Sequence, residues 1–146
     1  MSLLWVQAYA CSQSNHPAAE NNSNNSTIVD TMKIKITIGE KVFISTVHNN
    51  ATATAFKAKL PLTINMRELN SNEKYFYFPD NLPANASNPG TIQTGDLMLY
   101  GANTLVLFYK TFSTPYNYTR IGRIENPSGL AAALGSGNKT VKFELE

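Results

Sequence analysis

Residues 95–109, GDLMLYGANTLVLFY, contain nine large apolar or aromatic residues and a single charged one. Runs of strand length at 97–100 and 104–109 flank a short turn, which predicts a β-hairpin. Alternate residues of a strand face opposite sides of the sheet. In the second run these two sets are Leu105, Leu107 and Tyr109, and Val106 and Phe108. Because both sets are apolar, we expect one to fill a core and the other to face a helix or a cleft.

The rest of the chain from Met32 onward repeats this strand pattern. Alternating or β-branched runs between turn signals predict further strands at 33–38, 42–47, 62–66, 73–78, 118–124 and 140–144. With no strand-helix-strand alternation, about eight strands favour a mainly β fold, a closed or nearly closed antiparallel β-barrel. Closure also removes exposed strand edges.

Two short helices are predicted to cover the ends of this barrel. The first spans 52–60, where Asn50 can cap its start and Pro61 blocks its continuation. The second spans 127–134, after the potential cap Asn126. Residues 79–91 and 110–117 are predicted as long loops, a class of segment that often carries function.

Residues 1–31 differ in composition from the barrel domain, 32–144. A short apolar run leads to small residues before Cys11, and an Asn/Ser-rich tract follows. This pattern resembles a bacterial lipoprotein signal with its lipidated cysteine and a disordered tether, and it predicts export and a membrane anchor through Cys11. A cytoplasmic protein is the alternative, favoured by the absence of Lys or Arg before the apolar run. The longest apolar run falls short of the roughly 20 residues that span a membrane.

Charge and cysteine content exclude several classes of function. The net charge is +2, and the Lys and Arg residues are scattered, so we expect no nucleic-acid partner. A single cysteine forms neither an internal disulfide nor a Cys-x-x-Cys pair. His48 is the only histidine of the barrel domain, which argues against a metal site or a Ser-His-Asp triad. We expect no cofactor, and the oligomeric state stays open.

The order of these elements resembles the bacterial cyclophilin-like family, small barrels similar to cyclophilin that lack the prolyl isomerase signature. The segments that carry the resemblance are MKIKITIG (32–39), AFKAKLPLTINM (55–66), NEKYFYFPDNLP (72–83), the long run from NPGTIQTGDLMLYG to YNYTRIGRI (88–124) and PSGLAAALGSG (127–137). They cover nearly all of 32–144 in the family's order and spacing. The resemblance implies a cyclophilin-like barrel.

The resemblance does not carry a catalytic residue to this chain. True cyclophilins polarise the prolyl amide with an arginine from a Phe-His-Arg motif, and the matching region, 73–78, presents Tyr75 and Tyr77 instead. Arg120 is the best substitute, since it follows aromatic residues in YNYTR (116–120), although a surface arginine stacked on tyrosine is the more common arrangement. Arg67 is explained by an ion pair with its neighbour Glu68.

The domain is rich in tyrosine, a residue with an apolar ring and a polar hydroxyl that suits a pocket for a peptide or ring-shaped ligand. Ordinary barrel packing explains each tyrosine taken singly. The candidate binding residues are Tyr75, Tyr77, Phe108, Tyr116, Tyr118 and Arg120. Glu68 and Glu73 form a possible acid pair, but nothing in the sequence around them indicates a raised pKa.

These observations predict a binding barrel that holds a peptide or small ligand in an aromatic cleft without full cyclophilin catalysis. The alternative is a weak peptidyl-prolyl isomerase that uses Arg120. Isomerisation needs little more than an apolar pocket and one donor near the amide nitrogen.

Overall fold

The computed structural model describes residues 32–146. The predicted signal, the lipidation candidate Cys11 and the tether lie outside these residues. Within them, neither helix has the length and apolar content required to cross a bilayer.

Residues 32–146 form ten strands and two helices. The strands are β1 (Lys33–Ile38), β2 (Lys41–Val47), β3 (Leu62–Leu69), β4 (Glu73–Tyr77), β5 (Thr91–Ile92), β6 (Asp96–Tyr100), β7 (Thr104–Phe108), β8 (Phe112–Ser113), β9 (Thr119–Ile124) and β10 (Lys139–Leu145). Eight of them close into an antiparallel barrel in the order β1-β10-β3-β4-β7-β6-β9-β2. The predicted fold class, a closed barrel of about eight strands with two short helices, is confirmed.

The two predicted long loops contribute a pair of short strands that was not predicted. Strand β5 follows the first loop and pairs with β8, which lies inside the second, so together they form a separate two-stranded sheet. Ser87 of the first loop forms an isolated bridge with Tyr118, which follows the second loop directly. Sequence patterns missed both strands because two residues are too few to show an alternation.

Helix α1 (Ala51–Lys57) begins as predicted, since the Asn50 side chain accepts a hydrogen bond from the Ala53 amide at 2.8 Å. Helix α2 (Leu130–Leu134) is shorter than predicted. Gly129 precedes it with a left-handed φ of 82°. Asn126 does not cap the helix, because its side chain accepts instead from the Ser128 amide at 3.1 Å and forms a local turn.

The barrel interior and both helices share one hydrophobic core. Phe56 of α1 packs edge-to-face on Phe143 of β10 with ring centroids 5.5 Å apart. Leu130 and Leu134 of α2 join the same core. The helices therefore cover the barrel, as predicted.

A second apolar cluster lies on the outer face of β6 and β7. It comprises Ile92, Met98, Val106, Phe108 and Tyr118, with Tyr75 and Phe112 packed against it. Leu105, Leu107 and Tyr109 belong to the interior core instead. The predicted division of the strand at residues 104–109 into two apolar faces is confirmed.

Gly122 allows β9 to approach β2 closely. The register between β6 and β9 shifts at Leu97 and Met98, which marks a bulge. A Cβ atom at Gly122 would collide with the backbone carbonyl of Thr46 and lie 2.9 Å from Ser45 Oγ. Only glycine fits this point of the closed barrel.

Candidate functional site

A groove of about 450 Å³ runs along the outer face of the barrel, above the second apolar cluster. Its walls are five tyrosines, Tyr75, Tyr77, Tyr100, Tyr116 and Tyr118. Val106 and Phe112 add apolar surface, and the β3–β4 turn supplies one end of the groove. We call this feature the tyrosine groove.

The tyrosine groove concentrates the exposed apolar surface of the described residues. Seven large apolar side chains are exposed between residues 32 and 146, and four of them line the groove: Leu69, Tyr77, Tyr100 and Tyr116. The exposed fractions of Tyr77, Tyr100 and Tyr116 are 57%, 47% and 59%. Contiguous exposed apolar surface of this kind marks interaction sites.

The tyrosines form two neighbouring aromatic groups. Tyr75 and Tyr77 meet edge-to-face on β4 with centroids 5.2 Å apart. The ring centroid of Tyr100, on β6, lies 6.4 Å from that of Tyr116 and 5.5 Å from that of Tyr118. Each group therefore supports its exposed rings by contacts with other rings, which limits their rotational freedom.

Among residues 32–146, Glu73 is the only charged residue that lines the tyrosine groove. Burial, and secondly the negative charge of Glu68, raise the pKa of Glu73 to about 7. Within residues 32–146 its carboxylate makes no salt bridge and no side-chain hydrogen bond. The expectation of no raised pKa is therefore wrong for Glu73, because the fold buries it next to a second carboxylate.

Beneath this end of the groove lies a buried polar cluster around Lys74, whose side chain is fully buried. Lys74 Nζ donates to the carbonyl oxygens of Gly135 and Gly137 at 2.8 and 2.6 Å and lies 3.6 Å from Glu68 Oε1. The Tyr109 hydroxyl donates to the same Glu68 oxygen. Burial, followed by that hydrogen bond, raises the pKa of Tyr109 to about 12. This cluster holds the loop after α2 against the barrel.

The structure brings together four of the six candidate binding residues: Tyr75, Tyr77, Tyr116 and Tyr118 line the groove. Phe108 lies beneath it, fully buried, with its ring centroid 5.5 Å from that of Tyr118 and 5.7 Å from that of Phe112.

Arg120 is not among the residues that line the tyrosine groove. It lies on β9 opposite Met98, and its backbone carbonyl accepts a hydrogen bond from Asn50 Nδ2 at 2.8 Å. Burial, and then the charges of Arg120 and Arg123, lower the pKa of His48. Arg120 is thus near enough to His48 for its charge to act there, and it does not line the tyrosine groove.

Sequence reasoning left Glu73 and Tyr100 out of the candidate site. Both follow from alternation: Glu73 shares a face of β4 with Tyr75 and Tyr77, and Tyr100 shares a face of β6 with Met98. Phe112, in contrast, joins the groove through the β5–β8 pairing, for which the sequence gives no signal.

A second groove, of about 390 Å³, lies on the other side of Tyr75 and Tyr77 and is lined by Asn65, Arg67 and Asn138. The predicted ion pair between Arg67 and Glu68 is wrong. Arg67 is exposed on the outer face of β3, whereas the Glu68 carboxylate turns to Tyr109 and Lys74. Neighbouring residues of a strand point to opposite faces, so this separation follows from the strand geometry.

The described residues hold no group of three or more His, Cys, Asp or Glu side chains suited to a metal ion.

Comparisons with known proteins point to the barrel family. The model of the cyclophilin-like family matches residues 36–146. The solution structure of a hypothetical protein from Archaeoglobus fulgidus superposes with a TM-score of 0.55 at 18% sequence identity, covering 80% of this chain and 95% of that chain. At this identity the likeness concerns the fold alone. No curated protein matches the sequence.

Proposed function

The chain belongs to the cyclophilin-like family, and we propose that its tyrosine groove binds extended peptide segments without full cyclophilin catalysis. The observation that carries this proposal is the grouping of exposed apolar side chains, four of the seven described, around one groove.

The openness of the groove favours a peptide over a small ligand. Small-molecule sites enclose most of the ligand surface. Here Tyr77, Tyr100 and Tyr116 remain roughly half exposed, so a small ring would stay largely in water. An extended peptide can lie across several rings and gain contacts from each. Aromatic-lined grooves recognise proline-containing segments in this way, because a preformed extended segment loses little entropy on binding.

The position of Arg120 supports binding rather than isomerisation. An electrophilic donor must reach the amide nitrogen of the bound proline. Arg120 is absent from the groove lining, and among residues 32–146 the one ionisable group that lines the groove besides the tyrosines is Glu73.

The proposal is tested by titrating the ¹⁵N-labelled full-length chain with the neutral peptide acetyl-Gly-Ala-Gln-Ala-Pro-Gly-amide. We expect saturable amide shifts confined to β4, β6 and residues 112–118, and weaker binding by Tyr77→Ala and Tyr100→Ala. Val42→Ala is the matched control, because Val42 is also exposed but lies outside the groove. Absence of these shifts contradicts the proposal.

A proline-peptide isomerisation assay separates the binding function from the enzymatic alternative. Isomerase activity as high as that of a cyclophilin, lost in Arg120→Ala, would contradict our proposal and support the isomerase alternative. We expect no such activity.

The lipid anchor at Cys11 is a separate proposal, supported by the sequence pattern around that cysteine. Mass spectrometry of the protein isolated from its native membrane fraction should find a chain that begins at a lipidated Cys11. A species that retains Met1 in the cytoplasm would contradict export.

A further inference from the structure

Glu73 gives the tyrosine groove an acidic end, and we propose that the groove selects peptides in which a lysine or arginine lies two positions from the residue packed on the tyrosines. This inference rests on the proposed peptide-binding function and specifies its substrate class.

The geometry of β4 sets the spacing. Glu73, Tyr75 and Tyr77 occupy alternate positions on the outer face of the strand, and all three line the groove. Positions two apart in a strand are separated by about 7 Å. Side chains two apart in an extended peptide have the same separation, so a basic side chain can reach Glu73 while a proline or apolar residue packs on Tyr75 and Tyr77.

The charge of Glu73 is not neutralised by the surrounding described residues. Lys74, the nearest lysine along the strand, points into the barrel, where Gly135 and Gly137 accept its hydrogen bonds. The neighbouring carboxylate, Glu68, carries the same sign as Glu73. A partly buried carboxylate in this situation gains most from a cation brought by the ligand.

Two further features suit an ammonium or guanidinium group. Asn72 lines the same end of the groove, and its Oδ1 atom is buried without a hydrogen-bond partner among the described residues. It offers a second acceptor for an ammonium or guanidinium group. The tyrosine rings also attract a cation through their faces.

The selection for a cation should depend on pH. The ionisable groups around Glu73 are Glu68 on β3, Lys74 on β4, Tyr109 after β7 and Tyr118 before β9. Burial raises the pKa of both tyrosines, so they stay neutral between pH 6 and 8. Glu73 loses its proton in that interval, and the preference for a basic peptide should therefore increase from pH 6 to pH 8.

The test compares two peptides that differ only in one charge. They are acetyl-Gly-Ala-Lys-Ala-Pro-Gly-amide and its twin with an acetylated lysine, titrated against the ¹⁵N-labelled full-length chain at pH 6 and 8. Their blocked termini leave the lysine as the only cation. At pH 8 we expect the lysine peptide to bind about fivefold more tightly, the factor of one favourable, partly exposed charge pair. The preference should shrink at pH 6.

Variants identify the carboxylate responsible. Glu73→Gln should bind both peptides equally at both pH values, and Glu73→Asp should retain part of the preference. Glu40→Gln removes the same charge from an exposed turn outside the groove and should leave the preference unchanged. Amide spectra of each variant establish that the barrel is folded.

Equal affinity of the wild-type chain for both peptides would overturn the selection and leave the peptide-binding function intact. Failure of both peptides to shift the groove amides would overturn both proposals. A preference that survives in Glu73→Gln, or disappears in Glu40→Gln, would also overturn the inference, because the charge would then act from elsewhere.

Discussion

The two faces of the sheet formed by β4, β7 and β6 differ in how completely they are covered. Leu105 and Leu107 face the barrel interior, Val106 and Phe108 face outward, and all four are buried. On β4 the two faces diverge. Phe76 packs against the interior core, while Tyr77 remains 57% exposed on the outside. The interior is sealed by the helices, whereas the small β5–β8 sheet leaves part of the outer face open.

This difference separates residues that maintain the fold from residues available for binding. Apolar surface buried in the interior stabilises the barrel. Apolar surface left exposed on the outer face contributes little to stability and is free to contact a ligand. Substitutions in the interior should therefore reduce stability more than binding, and substitutions on the outer face should reduce binding more than stability.

The largest loss of stability is expected from Phe143→Ala in the interior. Phe143 is fully buried and packs on Phe56, and truncation of a buried phenylalanine leaves a cavity, so we expect the free energy of unfolding to fall by about 4 kcal/mol. Urea denaturation measures it, with the exposed Val42→Ala as control. A loss below about 1 kcal/mol would mean that the interior is not closely packed.

Lys74→Met should have the next largest effect. The substitution keeps an unbranched side chain one atom shorter but removes the amine that binds Gly135 and Gly137 and leaves Glu68 without its cation. We expect a loss of about 3 kcal/mol. Adding Glu68→Leu should recover part of it, because the remaining carboxylate is then also gone. If the double variant is less stable than Lys74→Met alone, Glu68 is not the source of the penalty.

Because side chains alternate between the two faces of a strand, the sequence predicted which residues lie on each face. It separated Leu105 and Leu107 from Val106 and Phe108, and Tyr75 and Tyr77 from Phe76. It cannot show which outward faces remain exposed, since that depends on the β5–β8 pairing between two segments about twenty residues apart. Alternation also did not predict that Lys74 is buried. The sequence around a lysine within a strand does not indicate that carbonyl groups of a distant loop will accept its hydrogen bonds.

The pH dependence of stability tests whether the groove buries the Glu73 carboxyl group in part, since that burial is what raises its pKa. Its pKa rises from 4.5 to about 7 on folding, so the native state holds this proton more tightly than the unfolded chain. The stabilisation is present below about pH 4.5 and is lost as the pH rises towards 7. Because the groove still admits solvent, we expect only about 1 kcal/mol.

Urea unfolding at pH 5 and pH 8 measures this loss as the difference between wild type and Glu73→Gln. The lowered pKa of His48 acts in the opposite direction and is present in both proteins, so the subtraction removes it. If the two proteins show the same pH dependence, the carboxyl group of Glu73 is not desolvated by the groove.

Tyr77→Ala should have the smallest effect on stability and one of the largest on binding. Tyr77 is exposed, and the main contact that it loses is the edge-to-face pair with Tyr75, so we expect the free energy of unfolding to fall by about 0.5 kcal/mol. The same substitution removes a wall of the groove and should weaken binding of the neutral peptide severalfold. A loss of stability comparable to that of Phe143→Ala would show that the outer face supports the fold as the interior does, and the distinction between the two faces would fail.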